Sequence, residues 1–472
     1  MARARRPRRR DLRSSRVKTA PLSESMPARP TPGPMPPWTF PAAEPGRLGN
    51  GLATLHSDLP DRRLAAVRLV LDAGAGREPA GLDGVANLTA SALLEGTEAG
   101  GGTTLTAAFD RLGATLNAGA DLTALRIALD VPVTRLADAL ALLSSVIRSP
   151  ALADADVRRL ARERLEEIAQ DDADPHSRAR RELRAVMFPA DSRSSRPTGG
   201  DPDTVGRITG ADVRAFYSSI VPAQATVVAA GDLAGIDVEA LLGTALGDFA
   251  TTGSALPAPD MARPGPGPRM VIVHRPGAVQ TQLSFGHGVP GRDHPDWAAL
   301  AVAAHVLGGG LSSRLNALLR EEKGYTYGMR AALLRLRHCG IFIAEAAVHT
   351  EATAPAVADS LTSLRSVLDG ITDKECASTI SALADRAPAN YETARAVAAE
   401  LADAAASDLP IDHPQRHLDA IRATTPQRAA EAYAAHVKPD ELTIVAVGDA
   451  DQIRDPLAEL GFAEVEVVAP EG

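Results

Sequence analysis

Two segments of this chain are written to the same plan. Residues 208–236 read ITGADVRAFYSSIVPAQATVVAAGDLAGI, and the stretch from residue 421 reads IRATTPQRAAEAYAAHVKPDELTIVAVGDADQI. Each has a Thr near a helix start, an amphipathic helix, a Pro-bearing turn, a buried β run and a Gly-Asp pair. The pairs are Gly231-Asp232 and Gly448-Asp449. A second correspondence lies upstream. LAAVRLVLDAGAG (64–76) and GLDGVANLTASALLEGT (81–97) are a strand and an apolar helix, as are QTQLSFGHGVPG (280–291) and DHPDWAALAVAAHVLGGG (293–310). Repetition on this scale constrains the fold more than any other feature: one α/β body is built twice.

Punctuation sets the expected boundaries. Residues 1–45 are rich in Arg, Pro and Ser and read as a disordered arm, since proline at that density sustains neither helix nor central strand. TTGSALPAPDMARPGPGP at 251–268 reads as an extended linker. The expected bodies are therefore 46–250 and 269–472. Between strand runs such as 120–133 and 339–350 lie amphipathic stretches at 134–147, 154–172, 175–188 and 354–371. Strands with consecutive helices on one side give the fold class α+β, an α/β sandwich repeated twice. A dinucleotide fold does not fit, because the glycines of LGGGLSSRL follow a helix rather than a strand. For the same reason Gly308, Gly309 and Gly310 are read as a structural break and not as a phosphate cradle.

Charge and cysteine usage narrow the partners. The net charge is −9, although residues 1–16 carry eight Arg against one Asp, so the remainder is more acidic still. Such a body is not expected to bind nucleic acid. Cys339 and Cys376 are the only cysteines, which excludes a disulfide framework. No run reaches 18 apolar residues, so no membrane span is expected. The basic N-terminus lacks the apolar core of a secretory signal. It reads as a basic arm, a transit-like segment or an extension ahead of a start at Met26. A cytoplasmic location is expected.

LGGGLSSRLNALLREEKGYTYG at 307–328 carries a family resemblance. Over about residues 45–470 the chain resembles the M16 zinc metallopeptidases, the pitrilysin, insulinase and mitochondrial processing peptidase group, in their two-domain subunit form. The resemblance implies two homologous LuxS/MPP-like metallohydrolase domains forming half of a clamshell. It also implies a first-domain helix bearing HxxEH, with two zinc-ligating His and a catalytic Glu, and a third ligand, a Glu, on a helix downstream.

At that place the chain departs from the family. With the helix registered on its terminal Gly-Thr, the ligand positions fall on Asn87 and Ser91 and the base position on Ala90. The third ligand position falls on Glu167. Zinc needs three or four good donors and hydrolysis needs a carboxylate beside the bound water, so no metal is expected in this chain. Other histidines do not rebuild a site. His413 and His417 share a helical face but lack an accompanying Glu, His305 reads as a packing residue, and His287 and His294 are scattered.

The other half of the family's machinery persists. An Arg and a Tyr seven residues apart in the second domain match Arg320 and Tyr327, with Tyr325 in reserve on the same strand face. Arg presents rigid donors to a peptide carbonyl, and a phenol can donate to a developing oxyanion. Gly324 turns the chain between them. The resemblance thus implies a subunit inactive alone. It would bind peptides or unfolded chains and lend Arg320 and Tyr327 to a paralogue whose intact HxxEH binds the zinc. The alternatives are a non-enzymatic scaffold or peptide-binding protein, like the core subunits of the respiratory bc1 complex, and a metallopeptidase in its own right by family assignment.

Overall fold

Strand β3 (Leu64–Leu71) shows why the chain folds as it does. Its odd-numbered residues Ala65, Val67, Leu69 and Leu71 enter one apolar core, while Ala66 and Val70 point into another. A strand apolar on both faces must be covered on both. The computed structural model describes Gly33 and residues 37–250, 252–258, 263–265, 269–462 and 465–469. Most of the expected arm, and positions 251, 259–262 and 266–268 of the expected linker, lie outside the described residues.

In the first half, β1 (Glu44–Arg47), β2 (Ala53–Asp58), β3, β4 (Thr115–Ala120), β5 (Leu125–Pro132) and β6 (Ala225–Gly231) form a sheet ordered β1-β2-β6-β3-β5-β4. In the second, β7 (Arg269–His274), β8 (Gln280–Pro290), β9 (Met329–Leu336), β10 (Cys339–His349), β11 (Thr443–Gly448) and β12 (Val465–Val468) are ordered β9-β10-β8-β11-β7-β12.

Read from the opposite edge, the second sheet is the first again. β2 runs parallel to β6 as β7 does to β11, and β3 and β8 each lie antiparallel between their neighbours. The copies differ at one edge. β1 precedes β2 and pairs with it antiparallel, whereas β12 comes last and pairs with β7 in parallel. Pro45 sits in β1, an edge strand, where a missing amide donor is tolerated.

The helices that matter for the site are α1 (Val85–Ala92), α2 (Asp154–Ala173), α3 (Pro175–Met187), α4 (Trp297–Gly308), α5 (Ala394–Ala406), α6 (His413–Ala423) and α7 (Pro426–His436). Sequence patterning placed helices on one side of each sheet. The second face is not open: each half sends a helix across to close the other's sheet. Ala179, Leu183 and Met187 of α3 pack on Val271 and Val273 of β7 and Val445 and Val447 of β11. Val397, Ala398 and Leu401 of α5 pack with Ala66 and Val70 of β3 and Val228 of β6. Residues 38–472 accordingly form one compact unit.

The expected arm is also too long at its C-terminal end. Phe40 is buried in the α5 core, and Trp38 stacks on Tyr391 with ring centroids 6.0 Å apart. Two aromatic residues anchor a stretch whose prolines, counted alone, read as unstructured. No helix of the described residues is long and apolar enough to cross a membrane.

Candidate functional site

α1 follows Gly84, whose φ of 100° puts it in the left-handed region that glycine adopts without penalty. The buried carboxylate of Glu78 accepts from the amides of Gly84 (3.0 Å) and Ala86 (2.9 Å) and from Nε of Arg193 (2.8 Å). Burial pushes the Glu78 carboxyl above its ordinary value, against the pull of Arg193 and the two amides. This brace fixes where α1 starts. The family motif does not include it, and its signal in sequence, a lone Glu before a Gly-rich turn, is too common to single out.

On α1, Asn87 and Ser91 stand one turn apart on the half-buried face, while Ala90 is fully buried. Glu167 lies on α2 with its side chain 62% exposed, paired to Arg164 at 2.9 Å. The donor chemistry does not fit a zinc centre. An amide and a hydroxyl replace the imidazoles, a methyl replaces the base, and the remaining carboxylate is held by a guanidinium on its own helix. No zinc-dependent step can be assigned to this chain's residues.

Among the described residues, two other clusters bring three ligand-type atoms within 4.8 Å of one another: His294, Asp296 and His436, and His274, Asp449 and Asp451. Both have structural roles. Asp296 accepts from His436 Nε2 at 2.7 Å and pairs with Arg428, clasping the start of α4 to α7. Burial raises the Asp296 carboxyl, but these partners outweigh it and hold the group below its ordinary value. Asp449 caps the helix after β11, and His274 Nδ1 accepts the amide of Ala450 at 3.0 Å.

The glycines after α4 are dictated by packing. A Cβ on Gly308 would collide with the backbone of Ala331 in β9, and one on Gly309 would meet the His305 ring, whereas Gly310 faces open space. Beyond them, Asn316–Glu322 is a π-helical turn whose Leu319, with Leu315 just before it, is anchored in the core. Buried Asn316 ties this segment together. Its amide nitrogen donates to the carbonyls of Gly310 (3.0 Å) and Met329 (2.9 Å), and its oxygen accepts the Met329 amide (2.9 Å). Nothing in a linear motif marked Asn316 as the staple, because both of its far partners are backbone.

Within this braced segment Arg320 is half-exposed, its nearest carboxylate being its neighbour Glu321 at 3.3 Å. Gly324 turns the chain at φ 68°. Residues 325–327 do not form a strand, and the expectation that Tyr325 and Tyr327 share a face is corrected here. Tyr325 packs against the second core with its backbone bonded to Leu319 and His349, while Tyr327 is 91% exposed. Thr326 bonds both backbone groups of Gly328, fixing the turn that holds Tyr327 outward. The structure therefore places Arg320 and Tyr327 on one connector, with Asn87, Ala90 and Ser91 on α1 and Glu167 on α2.

Comparison with known proteins gives a consistent picture. The family described as "Insulinase (Peptidase family M16)" matches residues 54–197, and "Peptidase M16 inactive domain" matches residues 207–383. An uncharacterized zinc protease of Mycobacterium tuberculosis is 30% identical over 341 residues, 70% of this chain and 76% of that one. The crystal structure of a peptidase M16 inactive domain from Pseudomonas fluorescens superposes with a TM-score of 0.79 at 22% identity, covering 86% of this chain and 98% of that one. A chain of Complex III2 from Candida albicans superposes with a TM-score of 0.73 at 16% identity, covering 88% and 99%.

Proposed function

The chain belongs to peptidase family M16, the insulinase family, and on that premise we propose that it is the non-catalytic subunit of a heterodimeric zinc peptidase. One observation carries the reading. The metal-motif positions Asn87, Ala90, Ser91 and Glu167 offer no usable donor set, whereas Arg320 and Tyr327 stand on a braced connector with no distant group among the described residues claiming them. A donor pair on a braced connector, one member paired only to its sequence neighbour and the other exposed, suits a site completed by another chain.

In this reading the partner, an M16 paralogue with an intact HxxEH, supplies zinc and base. Arg320 binds a carbonyl of the peptide, and the Tyr327 hydroxyl donates to the oxyanion that develops as the scissile carbonyl is attacked. Loss of one such donor costs about 3–4 kcal/mol of transition-state stabilisation, or about 10²–10³ in kcat. The test is peptide hydrolysis by the co-purified complex carrying Arg320→Ala or Tyr327→Phe. A fall of that size with the heterodimer intact supports the role; unchanged hydrolysis rules it out.

A chain of Complex III2 from Candida albicans has the same fold, and a scaffold role without chemistry is the second reading. It predicts a stable assembly in which neither substitution matters.

A further inference from the structure

A cavity of about 280 Å³ lies between α2, α3 and the loop at 197–201. Helical spacing accounts for the side chains that reach it. Arg164, Ile168 and Asp172 continue the stripe of α2 that Val157, Leu160 and Ala161 bury further back. Ser177, Arg181 and Arg184 share one stripe of α3, and Arg181 pairs with Asp172 across the gap. This stripe is separate from Ala179, Leu183 and Met187, which pack on the second sheet. The loop makes the third wall. Arg164 Nε donates to the carbonyl of Gly199 at 3.2 Å, and a Cβ on Gly199 would collide with that guanidinium. Arg193 holds the carbonyls of Arg196, Pro197 and Thr198.

The charges around the cavity pair off and leave one group over. Arg180 is taken by Glu345, Arg181 by Asp172, and Arg164 by Glu167, with Asp171 at 3.8 Å. The Asp201 carboxylate accepts the amide of Thr204 at 2.8 Å, capping its own helix. Half-buried Arg184 has no carboxylate within ion-pair distance among the described residues, and its one hydrogen bond there is long, Nη1 to the carbonyl of Ser194 at 3.4 Å. A neighbouring charge is like its own: Arg193, already claimed by Glu78 and Asp83. Burial and that repulsion both push Arg184 below its ordinary value.

A desolvated guanidinium without a counter-ion is destabilising, and folded proteins pair such groups. The matching partner is one negative charge in a plane that fits the guanidinium fork. Asp171, Asp172 and Asp201 also line the cavity, which disfavours a dianion such as phosphate. We propose that this cavity is a binding site for a single carboxylate held by Arg184, with Ile168 and Pro197 against the ligand's apolar part. The site adjoins the metal-motif positions without including one. Arg164 holds Glu167, and a Cβ on Gly200 would meet the carbonyl of Asp83 just before α1. An acidic group of a peptide and a free organic acid both offer the required chemistry. Neither requires the zinc-binding partner of the reading above.

The test is saturation-transfer NMR on the full chain at constant ionic strength. The probes are butyrate and acetyl-Ala-Glu-Ala-amide, each with its neutral counterpart, butyramide and the Gln peptide. The expected result is saturable transfer to at least one acid and none to its neutral counterpart, with binding at least about tenfold weaker in Arg184→Met. That substitution keeps an apolar stem and removes the charge, so the unliganded variant should unfold at or above the wild-type midpoint. Binding of the Glu peptide identifies peptide acids as the source, and binding of butyrate alone identifies small free acids. Binding of neither acid up to about 10 mM overturns the proposal. So does equal binding of the neutral counterparts, or unchanged affinity in Arg184→Met. An unliganded variant clearly less stable than wild type also overturns it, by making Arg184 a group the fold itself has paired.

Discussion

Arg180 of α3 grips Glu345 of β10 with both ends of its guanidinium, Nε to Oε1 at 2.8 Å and Nη2 to Oε2 at 2.6 Å. The two residues come from different copies of the repeat. Glu345 is nearly buried and also accepts from Ser284 Oγ at 3.3 Å, so this fork is the polar counterpart of the apolar contact that carries α3 onto the second sheet. A bidentate pair of this kind has directional strength that a surface ion pair lacks.

The fork is expected to be measurable as coupling between the halves. Arg180→Gln should destabilise the chain by about 1–3 kcal/mol because it leaves the nearly buried Glu345 carboxylate unpaired, and Glu345→Gln by less because water can solvate the half-exposed Arg180. In a double-mutant cycle by urea unfolding, the pair should show about 1 kcal/mol or more of coupling. Additive single effects would mean that the apolar face of α3 alone holds the halves together.

Asn316 is expected to matter more than its place outside any motif suggests. Replacing it by Ala strands the carbonyls of Gly310 and Met329 and the amide of Met329, groups that are buried or partly buried. The loss should be about 2–4 kcal/mol, read from the unfolding midpoint. Tyr327→Phe, at a position 91% exposed, should change stability by less than about 0.5 kcal/mol. The contrast separates bracing of the connector from what it presents.

Metal dependence should be absent from the lone chain. Purified from zinc-supplemented culture, it should hold far less than one equivalent of zinc, and a chelator should leave its unfolding midpoint unmoved. Ala90→Glu should lower stability by at least about 2 kcal/mol rather than restore a base, because Ala90 is fully buried. Stoichiometric zinc with chelator-sensitive hydrolysis would return the chain to the active peptidases.

Acid should loosen one identifiable link. The hydrogen bonds from Arg314 and the capping interactions of Thr372 hold the Glu375 carboxyl at about 2, below its ordinary 4.5. Because the folded value is depressed, the pair stabilises fully above about pH 5 and fades as pH falls from there through 2. Glu375→Gln should be less stable than wild type at pH 7. The gap in unfolding midpoint should narrow steadily below about pH 4.5.

Much of the fold was legible because a half-buried or fully buried strand writes its burial into its own residues. The Gly-Asp strand ends at Gly231 and Gly448 are both observed, as are the runs at 64–71 and 280–290. That Asn87, Ala90 and Ser91 carry an amide, a methyl and a hydroxyl was equally legible, since residue type is read directly from the sequence. Tyr325 and Tyr327 mark the limit. Two residues apart in a presumed strand they should share a face, yet Gly324 and the Thr326 turn send one inward and the other to solvent.

By itself, then, the sequence determined that one α/β body is built twice and that positions 87, 90 and 91 carry Asn, Ala and Ser. Tertiary structure alone decided that the copies exchange α3 and α5, that Asn316 ties the segment before Tyr327 to β9, and that Arg292 and Arg335 meet around Glu400. The reason is physical. Periodicity and side-chain chemistry are local properties of a chain, whereas an apolar helix face or an amide carries no mark of which distant surface will satisfy it.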